Sequence, residues 1–165
     1  MLCPPPALTI ALADYRNPRD AAALVALLDA YARDPMGGGA PLPEAVKARL
    51  PGDLAANPQA FSLLAWREGE AVGLANCFLG YSTFAAAPLI NIHDLAVAAH
   101  QRGKGIGRAL IAAIEAEALK RGACKITLEV LSGNPARHLY AACGFGDYQL
   151  DPAAGQALFW QKRLR

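Results

Sequence analysis

Apolar and polar positions along the 165-residue chain change period several times, and each change marks an element. Ala7 to Ala13 is a short apolar run containing Thr9 and Ile10, which predicts a strand before a turn at Arg16 and Asn17. Asn17-Pro18 then opens a helix. The Asn side chain can accept from an early amide, Pro suits a position whose N–H has no partner, and Asp20 favours the positive helix end. Leu24, Leu27, Leu28 and Tyr31 recur at helical spacing and place one stripe against a core. Asp34-Pro35 and Gly37-Gly38-Gly39 end the helix in a connection expected to be loose. Pro43 to Leu50 predicts a short second helix, closed by turns at Pro51-Gly52 and Asn57-Pro58.

A period of two follows. Ala60 to Trp66 and Ala71 to Tyr81 flank the polar Arg67-Glu68-Gly69-Glu70, the pattern of an antiparallel hairpin. Leu89 to Val97 predicts a third strand, with Asn91, His93, Leu95 and Val97 on one face and Ile90, Ile92, Asp94 and Ala96 on the other. Polar groups on both faces of an otherwise apolar strand are unusual. From Gly105 to Arg121 the spacing becomes helical, with Ile106, Leu110, Ile111, Ile114 and Ala118 on one stripe; Glu117 falls within that arc and is expected to pair with Arg121.

Lys125 to Leu131 alternates as a half-buried strand. Asn134-Pro135 starts a last helix bearing Ala136, Leu139, Tyr140 and Cys143 on one stripe, and Gly144 supplies its stop. Phe145 to Leu150 and Ala157 to Leu164 predict two closing strands around Asp151-Pro152. This order predicts one α+β domain over residues 1–165, a mixed and mainly antiparallel sheet flanked by helices. A parallel step is expected where a helix crosses from the His93 strand to the Lys125 strand.

Composition narrows the classes. With 54% hydrophobic and 18% charged residues the chain reads as a soluble globular protein of about one domain. Sixteen Lys and Arg against fourteen Asp and Glu leave a charge of +2, too near balance for a dedicated nucleic-acid binder. Cys3, Cys77, Cys124 and Cys143 form no CxxC pair, and the three histidines complete no metal-finger spacing, so reduced thiols, a cytoplasmic location and no metal are expected. Met1 to Pro6 lacks Lys and Arg and carries three prolines, unlike a secretory signal. Ala71 to Ile92 is uncharged and bilayer-length, but Gly73, Asn76, Gly80 and Pro88 interrupt it, which favours strands over a membrane span.

The chemistry concentrates in Gln101-Arg102-Gly103-Lys104-Gly105-Ile106-Gly107-Arg108, between a strand and the longest amphipathic pattern. Glycines let the backbone turn tightly and approach a ligand, and the first amides of a helix point outward unpaired. A phosphate there would also meet Arg102, Lys104 and Arg108. Neither a Walker A loop nor a Rossmann fingerprint fits this spacing. A solvated glycine turn is the bland alternative.

These residues resemble the GCN5-related N-acetyltransferases (GNAT), which move an acetyl group from acetyl-CoA to an acceptor. Arg102 to Gly107 matches their pyrophosphate loop, Arg/Gln-x-x-Gly-x-Gly/Ala, and Asn134 to Phe145 is similar to their Asn-x-x-Ala-x-x-Leu-Tyr-x-x-x-Gly-Phe segment. The resemblance covers Ile90 to Phe145, about a third of the chain. It implies a GNAT-like fold with splayed central strands, and acetyl-CoA as co-substrate. Its pantetheine arm would lie on Leu95-Ala96-Val97, its pyrophosphate on Arg102, Gly103, Lys104, Gly105, Ile106, Gly107 and Arg108, with Asn134 either touching the arm or capping a helix.

The same resemblance assigns Tyr140 the proton for the departing thiolate, against a core aromatic as the alternative. His93 is the base candidate, since imidazole exchanges protons near neutrality. It aligns with a strand histidine of arylalkylamine acetyltransferases, the alternative being a structural histidine. Asp94 corresponds to a residue that helps polyamine acetyltransferases hold a cationic substrate, and a bulge could turn it toward the slot beside His93. Tyr81 joins it as a pocket candidate, as do Tyr31, Met36, Phe61, Ser82 and Phe84. Asn91 stands where the histone-modifying branch carries Glu. The expected activity is acetylation of a primary amine of a small molecule, with no nucleic-acid or membrane partner and a homodimer by family analogy. Protein-lysine or N-terminal acetylation and a non-catalytic acyl-CoA sensor are the other readings.

Overall fold

In a computed structural model, which describes residues 7–148, 151, 153 and 155–164, a five-stranded sheet carries the first of two units, ending at Leu128. Its strands are β1 (Leu8–Leu12), β2 (Ala60–Arg67), β3 (Glu70–Ser82), β4 (Ala87–Val97) and β5 (Ile126–Leu128), adjacent in that order. The first four pair antiparallel and β5 runs parallel to β4. Its helices are α1 (Pro18–Arg33), α2 (Glu44–Ala56) and α3 (Ile106–Lys120), and α3 makes the crossover that a parallel pair requires. The mixed, mainly antiparallel α+β architecture is therefore the one expected.

Ladder register decides which helix covers which face. Leu64 and Leu74 stand opposite each other and join Leu24, Leu27 and Leu54 in one core, so α1 and α2 cover that face. Ala65 and Gly73, the next residues along, face the other way. A Cβ on Gly73 would lie 3.0 Å from the Ile106 and Leu110 side chains, so the missing side chain is what lets α3 seat closely. Ile106, Leu110, Ile111, Ile114 and Ala118 are buried, as their spacing predicts. Each large aliphatic chain among them contributes about 1.5–3 kcal/mol by leaving water.

Local signals hold where they rest on neighbouring residues. Asn17 Oδ1 accepts from the Arg19 amide at 2.9 Å, and the hairpin turns at Glu68 and Gly69, both with positive φ (50° and 82°), as a two-residue primed turn needs. Glu117 pairs with Arg121 at 2.9 Å. Three expectations change. The second helix runs through Pro51 to Ala56, because Leu50 and Leu54 on either side of the proline pack into the core and offset the lost backbone bond. The connection after α1 is pinned rather than loose: the Gly37 and Gly39 amides donate to Asp34 O, and the Leu42 amide donates to Asp29 Oδ1 at 2.8 Å. Gly37 is forced to be glycine, since a Cβ there would lie 2.0 Å from Tyr31 O.

The third change concerns strands. β5 has three residues instead of the seven expected, and its ladder with β4 ends at Ile92 and Leu128. In the second unit, beginning at Glu129, residues 145–148 and 157–164 form no strand, while Gln149 and Leu150 lie outside the described residues. Alternation marks what a strand would bury, but a strand exists only where a neighbour accepts its backbone bonds. This unit holds α4 (Arg137–Ala142), where Gly144 (φ 88°) follows the last turn and Tyr140 meets Phe145 edge-on with centroids 6.1 Å apart.

Candidate functional site

Between β3 and β4 the register slips: Asn76 stands opposite Asp94 and Cys77 opposite Ile92, so His93 is the extra residue of a β-bulge. This corrects the face assignment made from strict alternation. Asp94 follows Asn76, and Asn91 follows Phe78, onto the face under α1 and α2, while Ile92 follows Cys77 to the face under α3. A regular strand would separate His93 from Asp94. The bulge lets both line one cavity of about 370 Å³. Leu28 and Tyr31 of α1, Val46, Leu50 and Leu54 of α2, and Phe78 supply its large apolar and aromatic side chains together with Leu42. The Phe78 ring meets the exposed His93 imidazole edge-on, with centroids 5.5 Å apart.

Asp94 is held by a chain of hydrogen bonds across three strands that sequence reasoning missed. Asn76 Nδ2 donates to Asp94 Oδ2 at 3.0 Å, and the buried Ser62 hydroxyl donates to Asn76 Oδ1. Having spent its proton, Ser62 accepts from the Tyr15 hydroxyl at 2.9 Å. Every donor therefore points toward the carboxylate. The only trace in the sequence is Ser62 and Asn76 as polar residues inside apolar strand runs. Burial, followed by the Asp94 and Asp34 charges, raises the Tyr31 hydroxyl above its ordinary range. On the opposite face burial, with Asp94 again contributing, pushes the Cys77 thiol up to about 12.

Below the bulge, β4 offers backbone. The Ala98 amide donates to Val72 O at 2.9 Å, and antiparallel pairs alternate, so Ala96 bonds to β3 while Leu95 and Val97 turn their amides and carbonyls away from it. They turn toward the side on which the parallel ladder has already ended. Gly103 and Gly105 follow with φ of 75° and 80°, and at neither would a Cβ meet an atom within 4 Å, so conformation and not space demands glycine. Gly105 is the N-cap of α3 and makes no side-chain cap hydrogen bond, so the helix opens on backbone alone. Among the expected cations, Arg102 is engaged: Nε donates to Val97 O at 3.2 Å and the guanidinium pairs with Asp34 at 3.0 Å. Lys104 Nζ donates to Gln101 Oε1, and Arg108 stands in the first turn of α3.

Other candidates fall elsewhere. Tyr81 is exposed near the end of β3, opposite Pro88, and does not line the cavity; Phe84 is exposed and Phe61 is buried. In the second unit Asn134 does not cap the helix as expected: its Oδ1 accepts from the Ala136 amide at 2.9 Å in a turn ahead of α4, whose N-cap is Ala136 with no side-chain cap, and Tyr140 stands on α4.

A model of the acetyltransferase (GNAT) family matches residues 24–145. The chain belongs to that family. Its members take the acetyl group from acetyl-CoA, and this chain stands with them as an acyl-CoA-dependent N-acetyltransferase. Streptothricin acetyltransferase of Streptomyces lavendulae is 44% identical over 68 residues, 41% of this chain and only about a third (36%) of that enzyme's length. The uncharacterized N-acetyltransferase YhfO of Bacillus subtilis is 32% identical over 76% of this GNAT chain and 83% of its own. Among solved structures, an aminoglycoside acetyltransferase from an uncultured soil metagenomic sample, in complex with sisomicin, shares the fold. Its TM-score is 0.75 at 18% identity, covering 96% of this chain and 97% of that one. Among the described residues, no helix is long and apolar enough to cross a membrane.

Proposed function

We propose that this GNAT protein acetylates a primary amine of a small molecule by direct attack on the thioester of acetyl-CoA, residues 1–165 serving as one domain. The observation that carries this reading is the bulge that brings an imidazole and a braced carboxylate to the lining of one mostly apolar cavity. The names of the streptothricin and aminoglycoside enzymes agree with a small amine acceptor.

In this mechanism the diphosphate of acetyl-CoA rests on the amides that open α3, with Lys104 and Arg108 supplying charge and Arg102 bracing the loop through Val97 and Asp34. Leu95 and Val97 hold the pantetheine arm and thioester by their outward backbone groups. Asp94 receives the acceptor as an ammonium, and His93 takes one proton from it, directly or through water. The neutral nitrogen then forms its bond to the carbonyl carbon. As the tetrahedral adduct collapses, the carbon–sulfur bond breaks, nitrogen sheds its second proton, and Tyr140 protonates the thiolate. Ammonium and acetyl-CoA become amide, free CoA thiol and one net proton.

The test follows thiol release with acetyl-CoA and a panel of amines, beside a lysine peptide. Turnover on small amines and none on the peptide is expected. Tyr140→Phe should lower kcat about 100-fold while leaving the affinity for acetyl-CoA within twofold, and unchanged turnover would remove the role assigned to Tyr140. Saturable CoA binding without transfer to any amine would instead establish a sensor.

A further inference from the structure

The cavity over the bulge is lined unevenly, and, on the amine-acetylation reading above, that unevenness names a class of acceptor. Among the described residues that line it, Asp94 is the one carboxylate. The wall opposite is hydrocarbon from Leu28, Val46, Leu50 and Leu54, closed by the Tyr31 and Phe78 rings. Asp29 on α1 and Asp34 at its C-terminal end are already engaged. Asp29 is bound by Arg33, Lys47 and the Leu42 amide, and Asp34 by Arg102 and the Met36 amide. The Tyr31 hydroxyl, held neutral by burial, adds no second anion.

A polycation placed here would satisfy one ammonium on Asp94, and any other that enters the cavity would lie against hydrocarbon, where it loses hydration without a second carboxylate to pair it. A single ammonium on an apolar body meets the opposite balance, because its charge is paired and its remainder gains by leaving water. The volume, at the small end of ligand cavities, sets the scale at a short chain or one ring. We infer that the acceptor is a small hydrophobic monoamine, its nitrogen on Asp94 and its hydrocarbon between α1 and α2. The polycationic acceptors that the names of the relatives suggest do not suit this lining.

The experiment measures thiol release at saturating acetyl-CoA for the n-alkylamines from propylamine to hexylamine, for 2-phenylethylamine, and for spermidine and sisomicin. The expected kcat/KM rises about threefold per added methylene, and hexylamine exceeds both polycations at least tenfold. Leu50→Ala should lower kcat/KM for hexylamine by a larger factor than for propylamine and so flatten the dependence on chain length. A flat series in the wild type, or faster acetylation of spermidine or sisomicin than of hexylamine, overturns the inference. Calorimetry with hexylamine in the presence of CoA separates it from the catalytic reading. If no amine releases thiol, yet hexylamine binds and Asp94→Asn weakens it at least tenfold, transfer fails as the function and the acceptor class stands. Absence of hexylamine binding overturns the acceptor class.

Discussion

The loop from Arg102 to Gly107 and the bulge at His93 lie within a short stretch of chain, yet they present different chemistry to a ligand. The loop works through backbone: two glycines at positive φ and the uncapped start of α3 turn amides outward, and side chains add charge at the margin. The bulge works through side chains, and its carboxylate is braced by Asn76, Ser62 and Tyr15 from beyond its own strand. Backbone amides suit a group that never varies, such as a diphosphate. An acceptor that differs between relatives has to be met by side chains, whose identity and neighbours can change without disturbing the loop.

Substitutions that separate the two regions sharpen the comparison. His93→Ala should have the largest effect, a loss of about 1,000-fold in kcat at neutral pH with acetyl-CoA affinity unchanged, read from initial rates and calorimetry. Asp94→Asn comes next, with an amine KM raised about 100-fold, the worth of one charge-assisted bond, and again no change for acetyl-CoA. A matched loss of acetyl-CoA affinity in either variant would break the proposed division of labour.

Gly105→Ala tests the other region. No atom obstructs the new Cβ, so only the left-handed backbone conformation opposes it, at about 1–2 kcal/mol. The expected result is acetyl-CoA binding weakened about tenfold with the amine KM within twofold. Asn76→Ala should have the smallest effect on the reaction, an amine KM raised about fivefold with kcat retained. Because Ser62 loses its acceptor, thermal unfolding should also shift down by a few degrees.

Much of this fold was legible because its signals are local. Asn17-Pro18 caps and starts α1, Glu68-Gly69 turns the hairpin, and the stripe from Ile106 to Ala118 is buried as its spacing requires. Failures came where the deciding partner lies far along the chain. Pro51 reads as a stop until Leu54 is seen in the core, and the Asp34 to Pro43 connection reads as loose until Asp29 and Ala32 are seen to hold it. The closing strands expected after Gly144 have the right alternation and no ladder within residues 145–148 and 157–164.

By itself the sequence determined the family, the α+β class and the glycine turn that opens α3, since a turn, a cap and a helix start depend on residues a few positions apart. Tertiary structure alone decided that His93 and Asp94 share a cavity, that Asn76 and Ser62 brace the carboxylate, and that α2 supplies hydrocarbon over it. The reason is physical: one residue of slip between β3 and β4 reverses which face a side chain occupies, and that slip is a property of the paired strands, visible in neither strand alone.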